Sequence, residues 1–315
     1  MIGASPRSEH PRRMPHDEPE SPRTDDDLAS AAAVFGDSRR RMFGIAYRML
    51  GSVADAEDVV QDAWIRWQRT DRADIAEPAA FLATVTTRLS INALQSARAR
   101  RESYIGPWLP EPINTEDDPS LGAERGEALS YAMLLLLEKL TPTERAAYVL
   151  REALDYPYER IAEVVQTSVV SARQLVSRAR KHLAGDRRMQ VAPSEQRRLL
   201  SAFLSAAQKG DVEELERLLA DDVVSYTDGN GVRLAARRPV AGRTRVAKFI
   251  AAFSHHFWAG KAIDWVEING QPAATLVEDG IVTTAVTLTP SDDGILQLLW
   301  IMAPDKLRHV APVEA

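Results

Sequence analysis

The 315-residue chain contains no cysteine. Disulfides and thiolate-held zinc are therefore excluded, which fits a reducing cytosol and a cytoplasmic location. Long apolar runs are missing too. The longest, YAMLLLL at 131–137, falls far short of the ~20 residues that a membrane-spanning helix needs. Nor is there an excess of positive charge. Against 39 Lys and Arg stand 45 Asp and Glu, a net charge of −6, so the whole chain is no general binder of polyanions and any nucleic-acid role must rest on a local patch. The first residues, rich in Pro, Arg, Asp and Glu, lack the apolar centre of an export signal and are expected to form a disordered tail over 1–28.

What is present is an ordinary soluble composition, 45% hydrophobic and 27% charged, in a chain long enough for two or three domains. The stretch RRRMFGIAYRMLGSVADAEDVVQDAWIRW repeats apolar residues at three-to-four spacing, which predicts amphipathic helices. Gly51 is placed to stop one helix and Ser52 to cap the next. In that second helix Val59, Val60, Ala63 and Trp67 form an inner face, while Glu57, Asp58, Gln61 and Asp62 lie outside. Acids near a helix start suit the dipole, which on physics alone is the favoured account, while mutual repulsion of Asp58 and Asp62 points to an outside cationic partner as the alternative. Pro78 opens a third helix with a basic end at Arg98, Arg100 and Arg101.

The most informative stretch is LTPTERAAYVLREALDYPYERIAEVVQTSVVSARQLVSRARKHL. Thr141 to Glu144 reads as a capping box with proline at the first helical position. A short helix, the tight turn Gln166-Thr167-Ser168 and a longer helix follow. In the last, Ala172, Leu175, Val176 and Ala179 face inward, while Ser171, Arg173, Gln174, Ser177, Arg178 and Lys181 project outward. Short helix, turn and basic outer face together predict helix-turn-helix DNA recognition. A plain helical hairpin with a solvated basic face is the other reading. Beyond VAPSE the pattern changes to two helices and then to period-two alternation with Asp-Gly and Asn-Gly turns, an α+β domain.

Between the helical blocks lies IGPWLPEPIN. Its three prolines favour an extended run, yet Trp108, Leu109 and Ile113 are groups a free linker has no use for. They need a cover. The expectation is that Trp108, Leu109 and Pro110 dock on the C-terminal domain.

Together these residues resemble an extracytoplasmic-function RNA polymerase sigma factor. AYRMLGSVADAEDVVQDAWIRW resembles that family's region two and LTPTERAAYVLRE with the helix-turn-helix resembles region four. RRESYIGPWLPEPI is similar to the sigma-J type, which carries a fused SnoaL-like domain. SYTDGNGVRLAARRPVAGRTRVAKFI, INGQPA and MAPDKLRHV resemble that domain's signature stretches. The resemblance implies two all-α sigma domains, the second with the helix-turn-helix, and a C-terminal α+β cone or barrel. The expected divisions are 29–104, a linker over 105–123, 124–188 and 194–315.

It also implies partners: core RNA polymerase, at its clamp and flap regions, and promoter DNA, with no membrane. Asp55, Glu57, Asp58, Gln61 and Asp62 would contact polymerase, and 68–77 would capture a flipped base. Arg88, Arg98, Arg100 and Arg101 would follow the opened strand. Ser171, Arg173, Gln174, Ser177, Arg178 and Lys181 would serve the −35 element. Asp228 and Gly229 join the linker residues at the interdomain contact. Asn92, Gln95, Val232 and Ala303 depart from the subgroup's usual residues. No catalytic residues, metal or cofactor are expected. The domain's mouth is where a small ligand would sit, with Tyr226, Asp228, His255, His256, Trp258 and Trp265 as lining candidates. The competing readings are a polymerase-independent DNA-binding regulator with a ligand-sensing tail, and a fused acid–base enzyme.

Overall fold

The computed structural model describes residues 25–115, 130–183 and 191–310. The first helix, α1 (Asp25–Leu50), begins inside the stretch expected to be tail; 1–24 lie outside the described residues. Gly51 ends α1 in the left-handed conformation, with φ of 66° and its N–H donating to the Tyr47 carbonyl. Ser52 caps α2 (Val53–Arg69) by accepting from the Asp55 amide. Helix α3 spans Pro78–Glu102.

After the linker come α4 (Tyr131–Leu137), α5 (Pro142–Glu152), α6 (Tyr158–Val164) and α7 (Val169–Leu183). The capping box at Thr141 and Glu144 is fully formed. Between α6 and α7 no glycine is available, so Gln166 adopts the left-handed conformation, φ 56°, and the Thr167 amide reaches back to the Ala162 carbonyl. That conformation costs an L-residue about 1–2 kcal/mol, less whatever unfolded-chain entropy a glycine would add. Gln166→Gly is therefore expected to stabilise the helical part by up to about 1 kcal/mol, read as a rise in its melting temperature. An unchanged or lowered melting point would sink that account.

The seven helices share one apolar core. Ile45, Tyr47 and Leu50 of α1, Leu82 and Leu94 of α3, Leu150 of α5 and Val176 of α7 belong to a single cluster. The two blocks separated by the linker in sequence are thus packed against each other, α1 and α3 on α5 and α3 on α6.

The C-terminal part is a mixed six-stranded sheet with three helices. Its strands are β1 (Leu219–Asp228), β2 (Val240–Ala241), β3 (Ala262–Ile268), β4 (Gln271–Glu278), β5 (Ile281–Ser291) and β6 (Gly294–Ile301). Spatial order is β2-β1-β6-β5-β4-β3, with β1 parallel to β6 and every other neighbour antiparallel. Helices α8 (Pro193–Lys209), α9 (Val212–Leu218) and α10 (Arg243–Phe257) cover one face.

Alternation along the strands sends neighbours to opposite faces. Leu298 and Trp300 of β6 join Phe203 of α8 and Val246 of α10. Leu299 and Ile301, which alternate with them, join Leu109 of the linker and Tyr131 of α4 instead. The second face of the sheet is therefore completed by the segment that connects the helical blocks.

Candidate functional site

The linker is built into the structure from both sides. Asn114 bridges to Ile268, the Asn269 amide donates to the Ile113 carbonyl and the Thr115 amide donates to the Glu267 carbonyl. This segment covers the otherwise open β3 edge. Toward the helices, the Glu111 carboxylate accepts from the Val53 amide at 2.6 Å and from the Ser52 hydroxyl at 2.9 Å, so a linker residue completes the cap of α2. Tyr47 donates to the Glu111 carbonyl at 2.6 Å and accepts from the Asn269 side-chain amide at 2.8 Å.

The centre of the junction is Asp228, at the end of β1 and fully buried. One carboxylate oxygen accepts from the Tyr104 hydroxyl at 2.5 Å. The other accepts from the Leu109 amide and from Lys306 Nζ, each at 2.7 Å. Lys306 also donates to the Leu109 carbonyl. Its side chain is 3% exposed, and burial lowers its pKa while Asp228 opposes that shift. A charge pair this deep persists because both carboxylate oxygens accept hydrogen bonds and the ammonium has two oxygen acceptors, with the Tyr104 and Trp108 rings beside it. Gly229 follows because nothing larger fits: a Cβ there would lie 2.1 Å from the Ala235 side chain.

Trp108 is held between two cations. The Arg101 guanidinium lies 3.3 Å from its ring centroid and Lys306 Nζ lies 4.2 Å away. The edge of the ring passes over Gly51, where a Cβ would come within 2.9 Å of it. Leu109 is buried in the cluster of Ile268, Leu299, Ile301 and Leu307, worth about 2 kcal/mol of apolar burial. The Pro110 carbonyl accepts from the buried Tyr131 hydroxyl.

A second charged group lies beside it. Glu138 accepts from Arg101 and, at 2.7 Å, from the fully buried Arg145. The positive charge in excess is met by the end of α1. Arg145 donates to the Met49 carbonyl and Arg101 to the Leu50 carbonyl, both at the negative pole of the helix. Arg88 does the same to α6, donating to the Glu163 and Val164 carbonyls at 2.9 and 3.1 Å. In this arrangement Arg88 and Arg101 hold protein to protein, and are not free to follow a DNA strand as the sequence led one to expect. The side chains of Arg98 and Arg100 lie outside the described residues.

The outer face of α7 is as expected from the sequence. Arg173, Gln174, Ser177, Arg178 and Lys181 are exposed and Ser171 half-buried. Arg173 sits over the Tyr158 ring and Arg178 reaches Glu144 at 3.2 Å. On α2, Asp58, Gln61 and Asp62 are exposed, Asp55 and Glu57 half-buried, and Glu57 pairs with Arg39 at 2.6 Å.

The pocket candidates are not brought together. Only Trp258 lines the apolar cavity under α10, with Phe249, Phe257 and Trp300, and its volume of about 50 Å³ holds no more than a few waters. Asp228 is spent on the junction, His255 and His256 are exposed, and Trp265 lies under Arg197. Sequence reasoning missed Tyr47, Tyr104, Glu111, Glu138, Arg145, Asn269 and Lys306. All of them except Glu138 lie in stretches that carry the family resemblance, Lys306 in MAPDKLRHV and Asn269 in INGQPA among them, but the resemblance marks no role for any of them.

A helical module joined to a helix-turn-helix module is the build of a sigma factor, and here an α+β domain closes over their connection. Sigma-70 region 2 matches residues 34–100 and sigma-70 region 4 matches 130–183. The chain is 36% identical to the ECF RNA polymerase sigma factor SigJ of Mycobacterium tuberculosis, over 85% of this chain and 90% of that protein. It is 29% identical to the probable ECF RNA polymerase sigma factor SigI of the same organism, over 88% and 94% of the two. The crystal structure of Mycobacterium tuberculosis SigJ superposes with a TM-score of 0.72 at 32% identity, covering 90% of this chain and all of that one. The chain belongs to the extracytoplasmic function RNA polymerase sigma factors. Such a protein serves transcription initiation by binding core polymerase and promoter DNA. No described helix is long and apolar enough to cross a membrane.

Proposed function

We propose that this sigma factor is held closed by its own C-terminal domain, without catalysis, and that opening of the linker junction raises its promoter output. The observation that carries this reading is Asp228. Its carboxylate ties Tyr104, Leu109 and Lys306 together and so fastens the connection between the two helical modules to the sheet. Asp55, Glu57, Asp58, Gln61 and Asp62 on α2 are the polymerase face, and Ser171, Arg173, Gln174, Ser177, Arg178 and Lys181 on α7 meet the −35 element. Two small modules read a promoter together only when each reaches its own element, so their relative placement controls initiation. Closure opposes this by engaging Arg88 with α6 and Arg101 with Glu138. Opening frees both for the −10 strand.

The test is in vitro transcription with core polymerase, comparing wild type with Trp108→Ala. Losing the ring removes the group stacked between Arg101 and Lys306, and output from a cognate promoter is expected to rise several-fold. Equal output, with equal compactness in small-angle scattering, would make the segment a spacer only.

A further inference from the structure

The C-terminal domain segregates its charge. Across 229–263 there is no Asp or Glu, and the segment carries seven Lys and Arg. The rest of 191–310 carries fifteen acids against six Lys and Arg. In a chain of net charge −6 this is a local excess, and only part of it is consumed by the fold. Arg243 bonds the Leu219 carbonyl and Asp221, and Lys261 bonds Glu278. Arg233, Arg237, Arg238, Arg245 and Lys248 are exposed, and among the described residues none is paired with a carboxylate. Arg245 and Lys248 are three apart on α10 and share its outer face. Local stability does not account for them. Cations in the first turns of a helix oppose its dipole, and the first turn of α10 holds no acid to offset them.

Their place matters more than their number. The backbone of Ala236 and Arg237 lies beside Gly106, and Gly231 beside Ile105, at 3.5–3.8 Å from where those glycines would carry a Cβ. Only residues 103 and 104 separate that contact from the end of α3. The basic loop thus adjoins the helix whose end carries Arg98, Arg100 and Arg101. We infer that Arg233, Arg237, Arg238, Arg245 and Lys248 form a second phosphate-binding surface, by which the C-terminal domain itself grips the DNA backbone. It reads no sequence, since exposed cations meeting phosphates position the duplex without distinguishing bases. An acidic protein is the other partner such a patch could fit. Adjacency to a DNA-binding module favours DNA.

Binding of full-length protein to a fluorescein-labelled duplex, followed by anisotropy at several salt concentrations, tests this. Arg237→Gln, Arg238→Gln, Arg245→Gln and Lys248→Gln combined should lower the slope of log affinity against log salt by about 3.6, at about 0.9 for each of the four phosphates that is no longer neutralised. Lysine at the three arginine positions should restore most of it. Single variants, which spare the fold, should each lower it by about 0.9. An unchanged slope in the combined and single variants overturns the inference, as does preferential capture of poly-glutamate over DNA by the wild type. Arg173→Ala with Lys181→Ala, read in the same assay, reports the α7 surface, so failure there and failure here are told apart.

Discussion

Replacing Asp228 with alanine is expected to undock the linker from the sheet. The substitution strands three donors at once: the Tyr104 hydroxyl, the Leu109 amide and the Lys306 ammonium. With Lys306 only 3% exposed, breaking the pair leaves an uncompensated buried charge, which costs about 3–5 kcal/mol. Against that, Lys306 keeps the Leu109 carbonyl, a single neutral acceptor. The observable is amide hydrogen exchange of 103–115 in the full-length chain. Protection should fall roughly 100-fold or more, at about 1.4 kcal/mol per decade. Asp228→Asn together with Lys306→Met removes both charges and should cost much less than the sum of the two single changes, because neither charge is then left alone. Unchanged exchange in Asp228→Ala would show that the sheet is held by its apolar contacts alone.

Alkaline pH is expected to open the same junction. Tyr47, Tyr104 and Tyr131 donate to the Glu111 carbonyl, the Asp228 carboxylate and the Pro110 carbonyl. Burial raises all three hydroxyls well above their ordinary value of 10.0, and the carboxylates of Asp228 and Glu111 add to this. A phenolate here would lose its donor and face an acceptor oxygen. In the unfolded chain the three ionise near 10.0 and in the folded one they do not, so their contribution is complete below pH 10 and is lost above it. Each accounts for up to about 1.4 kcal/mol per pH unit, or about 4 together. Lys306 runs the other way. Its lowered folded value makes stability rise toward its ordinary 10.5, and one lysine does not offset three tyrosines above that. Urea midpoints taken from about pH 9 to about pH 11 should fall steeply for the wild type. A variant with phenylalanine at all three positions should start lower and fall less. Parallel curves for the two would refute the assignment.

The parts of this molecule that were legible in the sequence are those set by short-range rules. Gly51, Ser52, Pro78 and the Thr141–Glu144 box each act within one helical turn, so their roles follow from residue type and spacing alone. The helix-turn-helix is legible for the same reason. Three-to-four periodicity divided α7 into a buried Ala172, Leu175, Val176 and Ala179 and an exposed Arg173, Gln174 and Ser177. The strands behave likewise, where alternation in ILQLLWI marked two faces before either had a partner. That Trp108 and Leu109 need a cover was readable too, because proline-stiffened backbone and large apolar groups are a contradiction in a free linker.

Which groups meet was not readable. Leu109 and Asp228 are 119 positions apart, Tyr47 and Asn269 are 222, and no local pattern relates such pairs. The basic residues show the difference most plainly. The resemblance implies a nucleic-acid contact for Arg88 and Arg101 as for Arg173, and a cation on a helix face carries no mark of its partner. In the fold the first two point at helix ends and a carboxylate of the neighbouring module, while Arg173 stays at the surface. Composition and periodicity determined the modules and their order. Only the tertiary structure decided which charges join those modules and which remain at the surface, because a charge takes its role from whatever the packed chain brings within about 4 Å of it.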